Sequence, residues 1–418
     1  MGFNNFETVK LPEIGTLARG KSKHRPRYDP VLYGGKYPFI QTGDIRKAGK
    51  RIKDFEQSYS EVGLSQSKLW KKDTLCITIA ANIAETSILD FEACFPDSVV
   101  GFIPDTSRCS IDYIYYYFQY FKKEIQSRAY GSVQENINLK VLNDIDIILP
   151  PLHIQKKITS ILSPLDEKIE VNNKVIQNLE ELAQTFFKRW FVDFEFPNEN
   201  GEPYKSSGGE MMESNLEIIP KGWVTGFLTD IATLIMGQSP KGETYNIESI
   251  GLPLLNGASD FKEGQINPLK YTNDPKKVSK KKDFIFGVRA TVGNVTFVDK
   301  EYALGRGVGA ARAIKEEYQE YLYFQLVRGI NHLESTVTGS VYINLTKNDI
   351  EGIKLVLPPL EIIVKFHGII ENILEMKNEL YRENELLKKL RDTLLPKLLS
   401  GEIELPNETE VAEHVSIP

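Results

Sequence analysis

A chain of 418 residues, 41% hydrophobic and 26% charged, is long enough for two or three globular domains and holds no uncharged apolar run of the length a membrane span needs. Cys76, Cys94 and Cys109 lie in no CxxC spacing, which argues against a disulfide framework or a zinc site. The first residues lack the basic-then-apolar order of a signal peptide, so a reducing cytoplasm is the expected compartment. The net charge of −6 is unevenly spread: residues 1–150 carry 20 Lys+Arg against 18 Asp+Glu and residues 215–356 carry 17 against 16, while 151–214 (7 against 11) and 357–418 (7 against 12) hold the excess acid. Two near-neutral regions permit a locally basic, nucleic-acid-binding face without requiring one.

Residues 1–150 contain short apolar runs such as Leu75-Cys76-Ile77-Thr78-Ile79, which predict twisted strands, and a Tyr-rich segment, 112–123, which predicts a helix. Residues 151–197 turn helical. Ser163, with Asp166 three residues on, has the form of a capping box, and Pro164 suits a first helical turn. The expectation is therefore a short helix to 162 and a long one over 164–191. Its apolar stripe steps by four and three: Ile158, Leu162, Leu165, Ile169, Asn172, Ile176, Leu179, Ala183, Phe186, Trp190. Residues 198–215 form a polar Gly/Ser-bearing linker. Residues 216–356 repeat the first pattern, with a strand predicted over 293–298 and a helix over 316–327. Residues 357–405 turn helical again, over about 361–396, with a matching stripe of Phe366, Ile370, Ile373, Leu380, Asn384, Leu387 and Leu394. Residues 406–418 form an acidic, frayed tail.

The two halves are a repeat. Gly131-Ser132-Val133 and Leu149-Pro150-Pro151-Leu152 recur as Gly339-Ser340-Val341 and Leu357-Pro358-Pro359-Leu360, both at an offset of 208. Upstream, Lys71-Lys72-Asp73-Thr74-Leu75 resembles Lys281-Lys282-Asp283-Phe284-Ile285 at an offset of 210. The four-and-three stripes read as a coiled-coil seam. Each half contributes one asparagine to it, Asn172 and Asn384, read as equivalent positions that set helix register. At ~1.5 Å per residue such helices reach roughly 40–50 Å.

Several motifs invite other readings. Gly15 to Ser22 fits the phosphate-loop pattern GxxxxGK[ST], but Pro26 and Pro30 follow and preclude the helix that such a loop needs. Gly305-Arg306-Gly307-Val308-Gly309 reads as a tight turn between strands. No adenine-methylation motif or nuclease carboxylate pair is found, the five histidines lack metal-ligand spacing, and no metal site is expected.

Taken together, Leu-Pro-Pro-Leu entering each long helix, the segment Leu179 to Phe194, the ending Leu390 to Ile403, and Ile219-Pro220-Lys221-Gly222-Trp223 with Gly237 to Gly242 resemble the DNA-specificity subunits of type I restriction–modification systems. The resemblance covers essentially the whole chain. The first half departs at Leu11-Pro12-Glu13-Ile14, which lacks the Gly-Trp of the second.

The resemblance implies an α+β fold of two mixed, β-rich target-recognition domains in pseudo-twofold repeat, each followed by a long helix. The two helices pair as an antiparallel coiled-coil spacer. It implies a non-catalytic reader of a bipartite, gapped site in double-stranded DNA, and no cofactor on this chain. The partners are two modification subunits that methylate adenine with S-adenosylmethionine, and restriction subunits that use ATP and Mg2+. Candidate DNA contacts are Lys21, Lys23, Arg25, Arg27, Arg46, Lys47, Arg51, Arg128, Tyr130, Ser132 and Gln134 in the first half. In the second half they are Lys276, Lys277, Lys280, Lys281, Lys282, Arg289, Arg306, Thr338, Ser340, Tyr342 and Lys347. Lysine runs suit phosphates; Arg and Gln suit base edges. An adaptor protein with no affinity for DNA, a stand-alone enzyme and a silent allele remain as alternatives at this point.

Overall fold

The structure is a computed structural model and describes residues 6–80, 83–130, 139–257, 260–262, 265–289, 295–336, 344–403 and 405. The chain divides into two compact units, Met1–Lys174 with Leu380–Pro418, and Val175–Glu379.

In the first unit a five-stranded sheet runs in the order Gly15–Arg19, Val99–Pro104, Leu75–Thr78, Thr86–Leu89, Arg51–Ile52. Alternate residues of its central strand enter two different cores. Leu75 and Ile77 pack with Tyr113, Ile114 and Phe118 of the helix Ile111–Tyr130. Cys76 packs with Trp70, Phe95 and Val99. Burial on both faces explains why this strand reads as a continuous apolar run. The strand Glu7–Lys10 pairs with Asp146–Leu149 and leads the chain to Pro150.

The second unit repeats this frame. Ala232–Met236, Val308–Ala313, Phe284–Gly287 and Val295–Phe297 form a four-stranded sheet in the same order. Phe284 and Phe286 face the core beneath the helix Gln319–Thr336, while Ile285 faces Leu255, Tyr302 and Leu304. Val224–Phe227 pairs with Lys354–Leu357 as Glu7–Lys10 pairs with Asp146–Leu149. A further five-stranded sheet, Tyr245–Asn246, Lys270–Thr272, Leu252–Leu255, Tyr302–Leu304, Val278–Ser279, carries the part of this unit that differs most from the first.

The registers correct the sequence alignment. Leu75 pairs with Phe102 as Phe284 pairs with Ala311, an offset of 209 rather than 210. Asp73 and Lys282, one residue before the buried Thr74 and Asp283, both take positive φ, 60° and 74°. Upstream the offset is 217, because the variable region of the second unit is longer. Leu11-Pro12-Glu13-Ile14 therefore corresponds to Leu228-Thr229-Asp230-Ile231, and not to the Ile219–Trp223 segment. In both, the carboxylate accepts from the backbone N–H three residues earlier, Glu13 from Lys10 at 3.0 Å and Asp230 from Phe227 at 2.7 Å.

The first long helix is continuous over Leu152–Phe191, with Pro164 inside it, where a break at Ser163 was expected. Pro164 removes one backbone hydrogen bond and strains one turn. The buried Ile158 and Leu162 before it and Ile169 after it hold the helix through that turn. Ser163 is not an N-cap: its hydroxyl accepts from Lys50 Nζ at 2.7 Å, and Asp166 accepts from Tyr116 Oη at 2.6 Å and Arg391 Nη1 at 2.8 Å. The second long helix is Leu360–Ser400 and passes through Pro396.

Within each unit the two helices run antiparallel. In the first, Asp166 meets Arg391 and Asn172 meets Asn384; in the second, Glu180 accepts from Lys377 Nζ at 3.2 Å and Phe187 and Trp190 pack on Phe366. Of the stripe, Ile158, Leu162, Ile169, Asn172, Ile176, Ala183, Trp190, Phe366, Ile370 and Asn384 are buried. Leu165, Leu179, Phe186, Ile373, Leu380, Leu387 and Leu394 are half-buried, and Phe187 and Leu395 take the inner positions beside Phe186 and Leu394. Asn172 and Asn384 are not equivalent by the repeat, whose offset puts Leu380 at the place of Asn172. They are partners instead: Asn172 Nδ2 donates to Asn384 Oδ1 at 2.9 Å, with side chains 1% and 3% exposed.

Residues 198–215 are folded rather than an open linker. Asn198 Oδ1 accepts from the N–H groups of Asn200 and Glu202, Phe196 stacks between Tyr204 (4.6 Å) and Trp223 (4.9 Å), and Met211–Glu213 pairs with Ile218–Pro220. Among the described residues no helix is long and apolar enough to cross a membrane.

Candidate nucleic-acid interface

In the first unit the chain leaves the strand Gly15–Arg19 and enters a loop over 20–29. No α-helix follows directly, only the 3-10 turn Pro30–Leu32, so the phosphate-loop pattern lacks its context. Gln66 organises this loop: its Oε1 accepts from the N–H groups of Lys23 (2.6 Å) and His24 (3.1 Å). Arg25 is spent on the backbone, donating to the carbonyls of Ser22 and His24 at 2.8 Å. Arg27 binds both oxygens of Asp97. Lys21 and Lys23 extend from the loop without an ion pair among the described residues, beside Tyr28, which is 83% exposed. On the neighbouring helix Thr42–Lys47, Arg46 is exposed and unpaired among the described residues, while Lys47 pairs with Glu56 at 2.8 Å.

Arg51 has a different job. Asp73 lies at 2.8 Å, Asp90 at 3.4 Å and Asp112 at 3.9 Å. Burial works against its charge, and the three carboxylates more than offset that, leaving its pKa raised. A guanidinium shared by three carboxylates holds the fold and has little left for a phosphate. Of Arg128 and Tyr130 only the backbone is described, at the end of the helix Ile111–Tyr130; Ser132 and Gln134 lie outside the described residues.

In the second unit the lysine run divides in the same way. Lys276 pairs with Asp274, Lys282 with Glu316, and Lys347 with Glu351. Lys277, Lys280 and Lys281 are exposed and unpaired among the described residues, as are Arg289 and Arg306. Arg306 stands on a turn that only glycine permits on either side. A Cβ at Gly305 or Gly307 would come within 1.9 Å of Asn256, and Gly305 and Gly307 flank the arginine and thrust it outward. Arg312 is fastened to the buried Asp283 through two hydrogen bonds of 2.8 Å. Thr338, Ser340 and Tyr342 lie outside the described residues.

Lys21, Lys23, Arg46, Lys277, Lys280, Lys281, Arg289 and Arg306 thus make no ion pair among the described residues, whereas Arg51 and Arg312 are fastened to carboxylates at the sheets. The exposed apolar side chains Ile247 (76% exposed) and Leu269, which the sequence did not single out, adjoin the paired strands Tyr245–Asn246 and Lys270–Thr272. They carry no periodicity that a sequence could show. All three cysteines are buried, which pushes their thiols up and away from the thiolate form.

A family model described as the type I restriction modification DNA specificity domain matches residues 4–181 and 220–392, once per half. The chain belongs to this family. The chain is 33% identical over 311 residues to a putative type I restriction enzyme MjaX specificity subunit of Methanocaldococcus jannaschii, covering 72% of this chain and 70% of that protein. It is 26% identical over 417 residues to the MjaIX specificity subunit of the same organism, covering 96% and 94%. It is 25% identical over 343 residues to the HindI specificity subunit of Haemophilus influenzae, covering 68% and 74%. The type I S subunit of M. genitalium shares the fold, with a TM-score of 0.58 at 16% identity over 96% of each chain. This specificity subunit is the non-catalytic member of a type I restriction–modification complex, and the role of its family is to direct that complex on DNA. The adaptor and stand-alone enzyme readings are thereby set aside.

Proposed function

We propose that this specificity subunit reads a bipartite, gapped site in double-stranded DNA, one half-site per target-recognition domain (residues 1–150 and 216–356), and that its two long helices set the gap. The observation that carries this reading is a frame that recurs in both units while the regions between its strands differ, each unit presenting exposed cations that make no ion pair among the described residues. Identical frames give two readers of one geometry; unlike variable parts give a non-palindromic site. Half-sites one turn of duplex apart have centres ~34–36 Å apart, a distance that helices can span. Lys21, Lys23, Lys277, Lys280 and Lys281 take phosphates, and Arg46, Arg289 and Arg306 take base edges.

Two modification subunits dock on the helices, one per unit. Exposed apolar side chains support this: Val171, Leu386 and Leu390 in the first unit, Leu182, Val364 and Met376 in the second. S-adenosylmethionine, ATP and Mg2+ act on the modification and restriction subunits. The deciding experiment is co-expression with the modification subunit in a methylation-free host and mapping of methylated adenines. One two-part motif with a fixed gap is the expected result; a soluble complex that methylates nothing marks a silent allele.

The cations can be sorted by the same assay with binding titrations. Lys277→Ala, Lys280→Ala and Lys281→Ala together should flatten the salt dependence of binding by a slope of about 2–3 and leave the motif unchanged. Arg306→Ala should relax one base position by about 1–3 kcal/mol and leave the other half-site intact.

A further inference from the structure

The repeat leaves one place in the second unit unfilled. In the first unit the outward carbonyls of the strand Asp146–Leu149 are both covered by tyrosines of the overlying helix. Tyr113 Oη donates to the carbonyl of Ile148 at 2.6 Å, and Tyr117 Oη to that of Asp146 at 2.7 Å. Phe121 stacks on Tyr117 at 4.6 Å and closes the gap between helix and strand. At the offset of 208 the second unit keeps the first of these, with Tyr321 donating to the carbonyl of Val356. It changes the other two. Gln325 stands for Tyr117 and Gly329 for Phe121.

Two consequences follow. Gln325 donates its amide to Tyr321 Oη at 2.7 Å, and no described group donates to the carbonyl of Lys354, which shares its strand edge with that of Val356. A cavity of about 660 Å³ opens where the two rings would be, floored by Phe191, Ile353 and Leu355. Its rim has also changed sign. Glu124 and Asp146 of the first unit correspond to His332 and Lys354, which with Arg328 line the cavity against one carboxylate, Glu217.

We propose that this cavity is a docking pocket for a tyrosine carried on an acidic peptide segment of a partner protein. The phenol supplies the hydroxyl that the Lys354 carbonyl lacks, the ring covers the apolar floor as Tyr117 does in the first unit, and flanking carboxylates face Arg328 and Lys354. A phenol hydroxyl can donate to this carbonyl, and a phenyl ring cannot. The proposal does not depend on DNA reading.

The test titrates the full chain with the blocked tripeptide acetyl-Glu-Tyr-Glu-amide, its Phe analogue and free 4-hydroxyphenylacetate, followed by saturation-transfer NMR. The Tyr peptide should bind, the Phe peptide about tenfold more weakly. Gln325→Tyr with Gly329→Phe, which rebuilds the first unit's filling, should abolish binding. If that variant fails to fold by circular dichroism, Arg328→Glu with Lys354→Glu, both exposed, should weaken the Tyr peptide at least tenfold. No binding to the native chain, equal binding of the Tyr and Phe peptides, or binding indifferent to both pairs of substitutions overturns the proposal. Binding of the free phenol acid without the peptide replaces the partner with a small molecule and overturns it equally.

Discussion

The two units place a carboxylate at the same point and neutralise it in different ways. Asp112, near the start of the helix Ile111–Tyr130, faces Lys50 at 2.8 Å and Arg51 at 3.9 Å, both from the variable part of the first unit. Its counterpart Glu320, 4% exposed, faces His367 Nδ1 of the second long helix at 2.5 Å. The neighbouring position differs as well. Gln155, fully buried, ties three backbone groups together: it accepts from Ser110 N–H and donates to the carbonyls of Arg108 and Pro150. Ile363 replaces it with apolar packing. A duplicated frame thus tolerates divergent fastenings at the same point. Apolar burial and tyrosine-to-carbonyl pins keep the frame; charges around it are free to change.

The largest expected effect tests whether the units stand separately. Phe366 meets Phe191 at 4.8 Å, Trp190 at 5.8 Å and Phe187 at 6.3 Å. Phe366→Ala should cost about 3–5 kcal/mol. Trp190 and Trp223 report on the second unit and Trp70 on the first, so urea unfolding of single-reporter variants should show the loss mainly in the second. Equal displacement of both reporters would mean that the division does not govern unfolding.

Next in size is the asparagine pair of the first unit, which has no polar counterpart at the equivalent seam positions Leu380 and Ile176. Asn384 Nδ2 also donates to Asn173 Oδ1 at 2.9 Å, and Asn172 Nδ2 to Glu383 Oε2 at 2.8 Å. Asn384→Leu alone should cost about 1–3 kcal/mol, because Asn172 loses its buried acceptor. Asn172→Leu with Asn384→Leu should raise the melting temperature and loosen register, seen as mixed oligomers or a variable gap between methylated half-sites. A double variant that stays monodisperse with an unchanged gap would sink the register role.

Where the sequence was legible, the reason is length. Downstream of the central sheet the halves contain equal numbers of residues, so Gly-Ser-Val and Leu-Pro-Pro-Leu align by eye at 208. Upstream, the longer variable region of the second unit shifts the offset to 217, and the match of Leu11–Ile14 to Leu228–Ile231 survives only as a buried Leu and Ile around a carboxylate. Pro164 misled because local propensity was read without the packing that overrides it. The candidate cations divided for a related reason. A run of lysines shows charge, but the carboxylate that claims Arg27 is 70 residues away, and those that claim Arg51 are 22, 39 and 61 away. Such pairs exist only in the fold.

The smallest effect separates the two fastenings by pH. Burial pulls the His367 imidazole down, but Glu320, Glu371 and Glu316 outweigh it and hold its pKa above the ordinary value; Lys282 pairs with Glu316 nearby. Burial pushes the Glu320 carboxyl up despite the histidine. A histidine whose folded pKa is raised contributes stability that is complete below its unfolded pKa, about 6.5, and is lost as pH rises through the folded value. A raised carboxyl has the same sign. The second unit should therefore weaken over the interval that begins at about pH 6.5 and runs upward to the raised folded value of His367. With Trp70→Phe to isolate the reporters of the second unit, the urea midpoint should fall across this interval, and His367→Gln should remove most of the fall. A fall of equal size in the His367→Gln variant would place the titrating group elsewhere, and the difference between the two fastenings would then have no consequence near neutral pH.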